Sequence, residues 1–333
     1  MKAMIIEKYG KNSPLFMTEQ PMPEIGAHDV LVEIHAASLN PIDFKIKEGK
    51  VKLLLKYNFP LILGNDFSGV VVKVGGMVHA FKPGDEVYGR PRKTRMGTLA
   101  EYIAIHEEDL SLKPQNLNFE EAASIPLVGL TTYQAFSDIL HLQQGQKILI
   151  HAGSGGVGTF AIQLAKIMGA NVATTASEKG YELVQSLGAD QIINYRKENF
   201  EEILTEYDAV FDTLGGAVLE KSFRILKPHG QIVSISGVPN AAFGKEQQLG
   251  WLKTAALSIA SRKITVLEKQ YQARYHYLFM KPSGAQLNIL KEYIEDDRIV
   301  PVIDKVFPFT DAASALHYLE GGSAKGKVVV RIK

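Results

Sequence analysis

The sequence predicts a two-domain α/β protein, with a β-rich domain at residues 1–122 and 298–333 and a doubly wound parallel sheet at 123–297. Three observations predict it. Short branched and apolar runs separated by Gly and Pro turns fill the first part of the chain, and such runs read as strands of a compact barrel or sandwich. Strand-like and helix-like runs then alternate, the mark of a parallel sheet covered on both faces. Finally, a glycine-rich turn sits where the first strand of that alternation gives way to its first helix.

In the first region, Asp29 to Leu39 and Phe67 to Val74 are rich in branched residues and read as strands, with Gly75-Gly76 supplying a turn. Lys82-Pro83-Gly84-Asp85 is a tight turn leading into Glu86 to Tyr88, and Thr98 to Ile105 reads as a further strand. In the second region Lys147 to His151 carries the apolar run Ile148-Leu149-Ile150, typical of a strand buried on both faces. Val157, Phe160, Ala161, Leu164, Ala165 and Met168 recur at helical spacing. Strands at Asn171 to Ala176, Gln191 to Asn194, Asp208 to Asp212 and Gln231 to Ile235 follow, with helices through Val184-Leu187 and Leu219-Leu226. The tail returns to β character at Val302 to Phe307 and Lys327 to Ile332, around a helix at Ala312 to Leu319.

A chain of 333 residues with 46% hydrophobic and 22% charged residues can build two packed cores. A net charge of +1 supplies no general field toward nucleic acid or an anionic membrane, so neither is expected as a partner. The chain has no cysteine, which excludes disulfides and thiolate metal sites. Met1 to Gly10 lacks the apolar core of a signal peptide, and no apolar run approaches the ~18 residues of a membrane helix, so a cytoplasmic protein is expected.

The glycine-rich turn is His151-Ala152-Gly153-Ser154-Gly155-Gly156-Val157-Gly158, in which Gly153, Gly155 and Gly158 fit G-x-G-x-x-G. The first glycine makes the turn, the second lets backbone approach a pyrophosphate, and the third permits close helix packing. The helix N-terminus behind them offers N–H groups and partial positive charge to phosphate. Placement between a strand and an amphipathic helix makes this a dinucleotide site rather than an ordinary turn. Where an NAD site carries an acid at the end of its second strand, this chain has Thr175, followed by Ser177 and Lys179. With Tyr195 after the next strand, these suit a 2′-phosphate, and NADPH is the expected cofactor. Leu214, Ser236 and Gly237 follow later strands, whose carboxyl ends border the ligand crevice.

Six motifs together resemble the medium-chain dehydrogenase/reductase superfamily, in its zinc-free quinone oxidoreductase and alkenal/enone reductase branch. They are Asn40-Pro41-Ile42-Asp43, Gly64-Asn65-Asp66-Phe67-Ser68-Gly69, Lys82-Pro83-Gly84-Asp85-Glu86-Val87, Gly129-Leu130-Thr131-Thr132, the cradle at Ala152 to Gly158, and Gly326-Lys327. The resemblance implies a GroES-like catalytic domain, a Rossmann domain and a cleft between them. It adds Thr132 and Lys327 to the residues expected around the cofactor, and puts Asn40, Asp43 and Lys45 close to the nicotinamide and substrate. The positions matching the zinc ligands of the superfamily's alcohol dehydrogenases are Asn40, Asn65 and Val128, which are not zinc donors. The expected reaction is therefore hydride transfer to a quinone or α,β-unsaturated carbonyl, with Asn40 and Lys45 able to donate to a developing enolate oxygen. An enoyl-thioester reductase and a non-catalytic NADPH-binding sensor are the alternatives. Lys45-Ile46, where quinone reductases often carry an aromatic residue, leans toward the enone branch.

Arg274 to Met280 reads as an apolar strand at the edge of the parallel sheet, with Tyr275, Tyr277 and Phe279 on one face. Such an edge is an aggregation hazard unless covered or paired. A two-fold axis pairing it with its own copy predicts a homodimer, as the resemblance also implies.

Overall fold

The structure is a computed structural model that describes residues 1–52 and 55–333. The chain forms two compact units, Met1–Leu130 with Lys281–Lys333, and Thr131–Met280.

The first unit is β-rich. Its larger sheet runs in the order Ile303–Pro308, Lys327–Arg331, Asp29–Leu39, Asp66–Val74, Glu86–Gly89, Leu110–Leu112, with Tyr102–His106 also paired to Asp29–Leu39. The long strand Asp29–Leu39 organises it. One edge pairs with Asp66–Val74 along most of its length, while the other serves Tyr102–His106 with residues 29–33 and Lys327–Arg331 with residues 36–39. A register irregularity between Ile34 and Ala36 lies where the second edge changes partner, the usual device for bending a strand. Val30, Val32, Ile34, Phe67, Val71 and Val87 form the core beneath it. A second sheet joins Phe16–Glu19, Lys2–Ile6 and Leu61–Ile62, and Ala3 to Ile6 are buried in it.

The helix Gly284–Glu295 packs in this unit, although its position in sequence suggested the parallel-sheet region. A Cβ on Gly284 would lie 2.2 Å from the Leu110 carbonyl oxygen, and the Tyr88 hydroxyl donates to the Leu287 carbonyl at 2.7 Å. Periodicity shows that a helix has an apolar face, not which sheet that face covers.

The second unit holds a six-stranded sheet in the order Gln191–Asn194, Asn171–Ala176, Lys147–Ile150, Tyr207–Asp212, Leu226–Ser234, Arg274–Tyr277, with every neighbouring pair parallel. In chain order this is 3-2-1-4-5-6, the doubly wound Rossmann order. The central strand Lys147–Ile150 has three consecutive fully buried residues, as a strand covered on both faces requires. Order reverses beside it, so ligands are expected outside its carboxyl end.

Arg274–Tyr277 does form the sheet's edge, but it is four residues long where seven were expected. Tyr275 is buried in the unit's core and Tyr277 packs against it, so one face of the strand is used internally. Phe279, beyond the strand, lies against Phe243 at a ring separation of 6.2 Å.

Candidate functional site

Each unit contains one site with chemistry, and the two are built differently. In the second unit the strand Lys147–Ile150 ends at the turn containing Gly153, and helix Gly156–Ile167 begins with Gly155 as its N-cap. A Cβ on Gly153 would lie 2.1 Å from Thr174 Oγ1, and one on Gly158 would lie 2.3 Å from the Ala152 carbonyl oxygen. Both glycines are thus required by close packing. Gly155 differs: a Cβ there would meet only the Ala152 oxygen, at 3.3 Å. That single contact is tight but needs only a few tenths of an ångström of give, and the first N–H groups of the helix, at Gly156, Val157 and Gly158, have no carbonyl of their own helix to bond. Ser154 lies against Gly180, where a Cβ would approach it to 2.8 Å. These residues fit a pyrophosphate.

Thr175 is buried, and its hydroxyl accepts from the Ala152 amide at 3.0 Å. It therefore fastens the cradle from beneath. Ser177 precedes a short turn over residues 178–180 that leaves Lys179 exposed. Asn194 is the register partner of Ala176, and the Tyr195 amide reaches the Ala176 carbonyl at 3.4 Å, so Tyr195 emerges beside Ser177. Tyr195 is exposed, with the Arg196 guanidinium 5.9 Å from its ring centre. Glu178 pairs with Lys197 at 3.2 Å.

Three residues that sequence reasoning missed order the remaining loops. Asp212, fully buried, accepts from the Leu214 and Gly215 amides at 3.1 and 2.9 Å and from the Ser234 hydroxyl at 2.5 Å. Ser234 in turn accepts from the Gly237 amide at 2.7 Å. The loops bearing Leu214 and Ser236-Gly237 are thereby tied together, and Gly215, at φ 73°, packs against the Ser236 carbonyl. His151 is buried with Nε2 2.9 Å from the Ser222 hydroxyl, and burial pushes its imidazole down to about 4, against the pull of Asp212 and Glu201. The signal in the sequence was a lone polar residue ending each apolar strand.

In the first unit a polar cluster is buried almost completely. Helix Pro41–Lys47 starts at Asn40, whose amide N–H donates to Asp43 at 2.7 Å, the return half of a capping box. The Asn40 side chain donates to Asp66 at 2.7 Å and accepts from Lys327 at 2.5 Å. Asn65 donates to the other oxygen of Asp43 at 2.7 Å. Asp66 is the hub: besides Asn40 it accepts from the Ser38 hydroxyl, the Leu127 amide and Lys327, at 2.8, 2.7 and 3.2 Å. Burial raises the Asp43 carboxyl to about 6, helped by the Asp66 charge and opposed by the hydrogen bonds from Asn40 and Asn65. Burial also holds the Lys327 ammonium below its ordinary value, against the attraction of Asp66.

Asn40 and Asp43 therefore sit together, as the sequence suggested. Lys327 joins them through its bonds to Asn40 and Asp66. Lys45 is half-buried on the same helix, its ammonium held down first by burial and then by Lys50, and it makes none of the cluster's hydrogen bonds. Thr132 is fully buried at the C-terminal end of helix Pro126–Tyr133. The positions that match zinc ligands do not fit a zinc ion, since the amides of Asn40 and Asn65 are committed to carboxylates and Val128 is an apolar core residue. Among the described residues no group of three His, Cys, Asp or Glu side chains could hold a metal, and no helix is long and apolar enough to cross a membrane.

One unit with a Rossmann sheet and glycine cradle and one β-rich unit with a buried polar cluster define a two-domain dinucleotide-binding protein. Residues 26–115 match the alcohol dehydrogenase GroES-like domain and residues 187–330 the zinc-binding dehydrogenase family. The mitochondrial NAD(P)H oxidoreductase RTN4IP1 of Bos taurus is 34% identical, over 100% of this chain and 89% of its own. The chloroplastic NADPH-dependent alkenal/one oxidoreductase of Arabidopsis thaliana is 37% identical, over 99% of this chain and 79% of its own. The quinone oxidoreductase from Coxiella burnetii superposes with a TM-score of 0.86 at 35% identity, covering 100% and 99% of the two chains. This chain belongs to the medium-chain dehydrogenase/reductase superfamily, among the quinone and alkenal/one oxidoreductases.

Proposed function

We propose that the protein is an NADPH-dependent oxidoreductase that reduces quinones or α,β-unsaturated carbonyls without a metal ion. The glycine-rich turn Gly153 to Gly158, at the positive end of helix Gly156–Ile167, carries the reading. The relatives named as alkenal/one and quinone oxidoreductases support it. Bound there, the cofactor supplies a hydride. The backbone from Gly153 to Gly158 holds the pyrophosphate, Ser177, Lys179 and Tyr195 face the 2′-phosphate, and Leu214, Ser236, Gly237 and Thr132 line the rest. Asn40, Asp43 and Lys45 belong to the acceptor's side, and Lys327 positions Asn40.

The test follows NADPH absorbance with a panel of quinones and enones, before and after prolonged chelation. Turnover that survives chelation is expected. Inertness toward every acceptor would favour the binding-sensor reading, and activity restored by zinc would overturn metal independence. NADPH should bind at least tenfold tighter than NADH, about 1.4 kcal/mol. Lys179→Ala should narrow that gap, and equal affinities in the wild type would remove the case for a 2′-phosphate site.

The same proposal includes a homodimer through the edge strand Arg274–Tyr277, whose outer backbone groups suit a second copy. Sedimentation at micromolar concentration should give twice the chain mass. It also includes a cytoplasmic location. Two relatives carry organelle names, so cell fractionation is the check.

A further inference from the structure

The polar cluster of the first unit contains one cation that nothing in it bonds. Arg90 follows strand Glu86–Gly89 and is only 6% exposed. The register Phe67↔Gly89 makes Asp66 and Arg90 the next facing pair, and Ser38 faces Asp66 from the other side. Facing residues of antiparallel strands project to the same side, so Arg90 stands in the row that carries the cluster. Burial holds its guanidinium below the usual value, against attraction from Asp66, Tyr57, Asp109 and Asp43.

All three of those carboxylates are committed elsewhere. Asp66 is taken by Ser38, Asn40, Leu127 and Lys327, and Asp43 by Asn40 and Asn65. Asp109 is gripped by both arms of Arg92, at 2.7 and 2.8 Å. Arg90 Nε is buried with no hydrogen-bond partner among the described residues. A guanidinium cannot escape this by losing its proton, and burying it unpaired is unfavourable. Its donors call for an oxygen from outside the chain.

The charges say which kind. Asp43 and Asp66 against Lys327 and Arg90 sum to zero when all four are ionised, so a carboxylate ligand would leave the cluster with excess negative charge. A neutral carbonyl fits, and the charge it gains during reduction falls on the free guanidinium. We propose that Arg90 binds the carbonyl oxygen of a neutral conjugated acceptor and stabilises the oxyanion formed on it, an inference that rests on the reductase reading above. When hydride forms a C–H bond at the β-carbon of an enone, the C=C pair moves toward the carbonyl carbon and the C=O pair moves onto oxygen. A proton from water at the α-carbon then completes the saturated ketone. The two electrons come from NADPH, which leaves as NADP⁺. Preorganised donors aimed at such an oxyanion are among the largest contributors to catalysis.

The experiment compares wild type, Arg90→Met and Arg90→Lys with cyclohex-2-enone and 1,4-naphthoquinone, alongside melting temperature and NADPH affinity by fluorescence. Arg90→Met should lose about a hundredfold or more in kcat/KM, the usual effect of deleting an oxyanion donor. NADPH affinity should stay within about twofold, and Tm should stay within about 2 °C, because the charge lost with the guanidinium is offset by the end of its unpaired burial and no hydrogen bond of the fold goes with it. Arg90→Lys should recover part of the rate. A fall in Tm of several degrees with the loss of activity would make Arg90 a structural brace and overturn the proposal. Turnover by Arg90→Met within about threefold of an active wild type would sink it alone, leaving the reductase reading intact. A wild type that reduces neither acceptor removes that reading and this one together.

Discussion

The nucleotide cradle and the buried polar cluster are built from opposite materials. The cradle is one contiguous stretch, Ala152 to Gly158, and its working groups are backbone amides and the absence of side chains. The cluster is made of side chains from Ser38 to Asp43, Asn65-Asp66, Arg90 and Lys327, brought together only by strand pairing. A site made of backbone can lose a ligand without losing the fold. A site made of buried, mutually satisfying charges stakes the fold on every member that is paired, which here excludes Arg90.

The sharpest way to test that contrast is Lys327→Met. It removes the ammonium that serves Asn40 and Asp66 and leaves buried polar groups short of a partner. Breaking a buried pair in this way costs about 3–5 kcal/mol. Hydrogen exchange should show protection lost in the strands Asp29–Leu39 and Asp66–Val74 and retained in Lys147–Ile150 and Tyr207–Asp212. Equal loss in both units would erase the distinction.

Next in size are two opposed pH effects. Asp43 is raised from 3.8 to about 6, so its fold favours the protonated acid. The stability this contributes is present below about pH 4 and is lost as pH rises through about 6. His151 is lowered from 6.5 to about 4, so its fold favours the neutral ring, and that stability is present above about pH 6.5 and lost as pH falls through about 4. Each shift corresponds to on the order of 3 kcal/mol. Measured by denaturant unfolding, wild type should lose ground to Asp43→Asn as pH rises from about 4 to 7, and gain on His151→Gln over the same range. The same sign for both would mean that burial is not what moves them.

The smallest effect should come from Gly155→Ala. Its Cβ would need only a few tenths of an ångström of give from the Ala152 carbonyl oxygen, at 3.3 Å, but takes up space left for the pyrophosphate. NADPH binding should weaken about tenfold, near 1.4 kcal/mol, with Tm unchanged to within about 1 °C. Calorimetric titration beside a melting scan checks both, and a clear drop in Tm would show that Gly155 is structural like Gly153 and Gly158.

What could be read in advance follows the same division. The strands Asn171–Ala176 and Asp29–Leu39 have the bounds the sequence predicts, because strand identity is a local property of period and side-chain shape. The cradle was legible because phosphate binding needs specific backbone conformations, and only glycine spacing provides them. Asn40 and Asp43 could be singled out through a motif, but not their dependence on Asp66, 26 residues away from Asn40, or on Lys327, 287 away. Arg90 carried no local signal, since a lone arginine after a strand usually faces solvent.

By itself the sequence determined the two classes of unit, the order of strands and helices, the glycine cradle and the lack of zinc donors at Asn40, Asn65 and Val128. These depend on residue type and near neighbours. Tertiary structure alone decided that helix Gly284–Glu295 packs in the β-rich unit, that Lys327 meets Asn40, that Asp212 ties two loops, and that Arg90 Nε is buried with no hydrogen-bond partner among the described residues. Each of these depends on which distant segments share a dry environment, where electrostatic interactions strengthen and unmet hydrogen bonds become costly. Strand register sets that, and side-chain periodicity cannot.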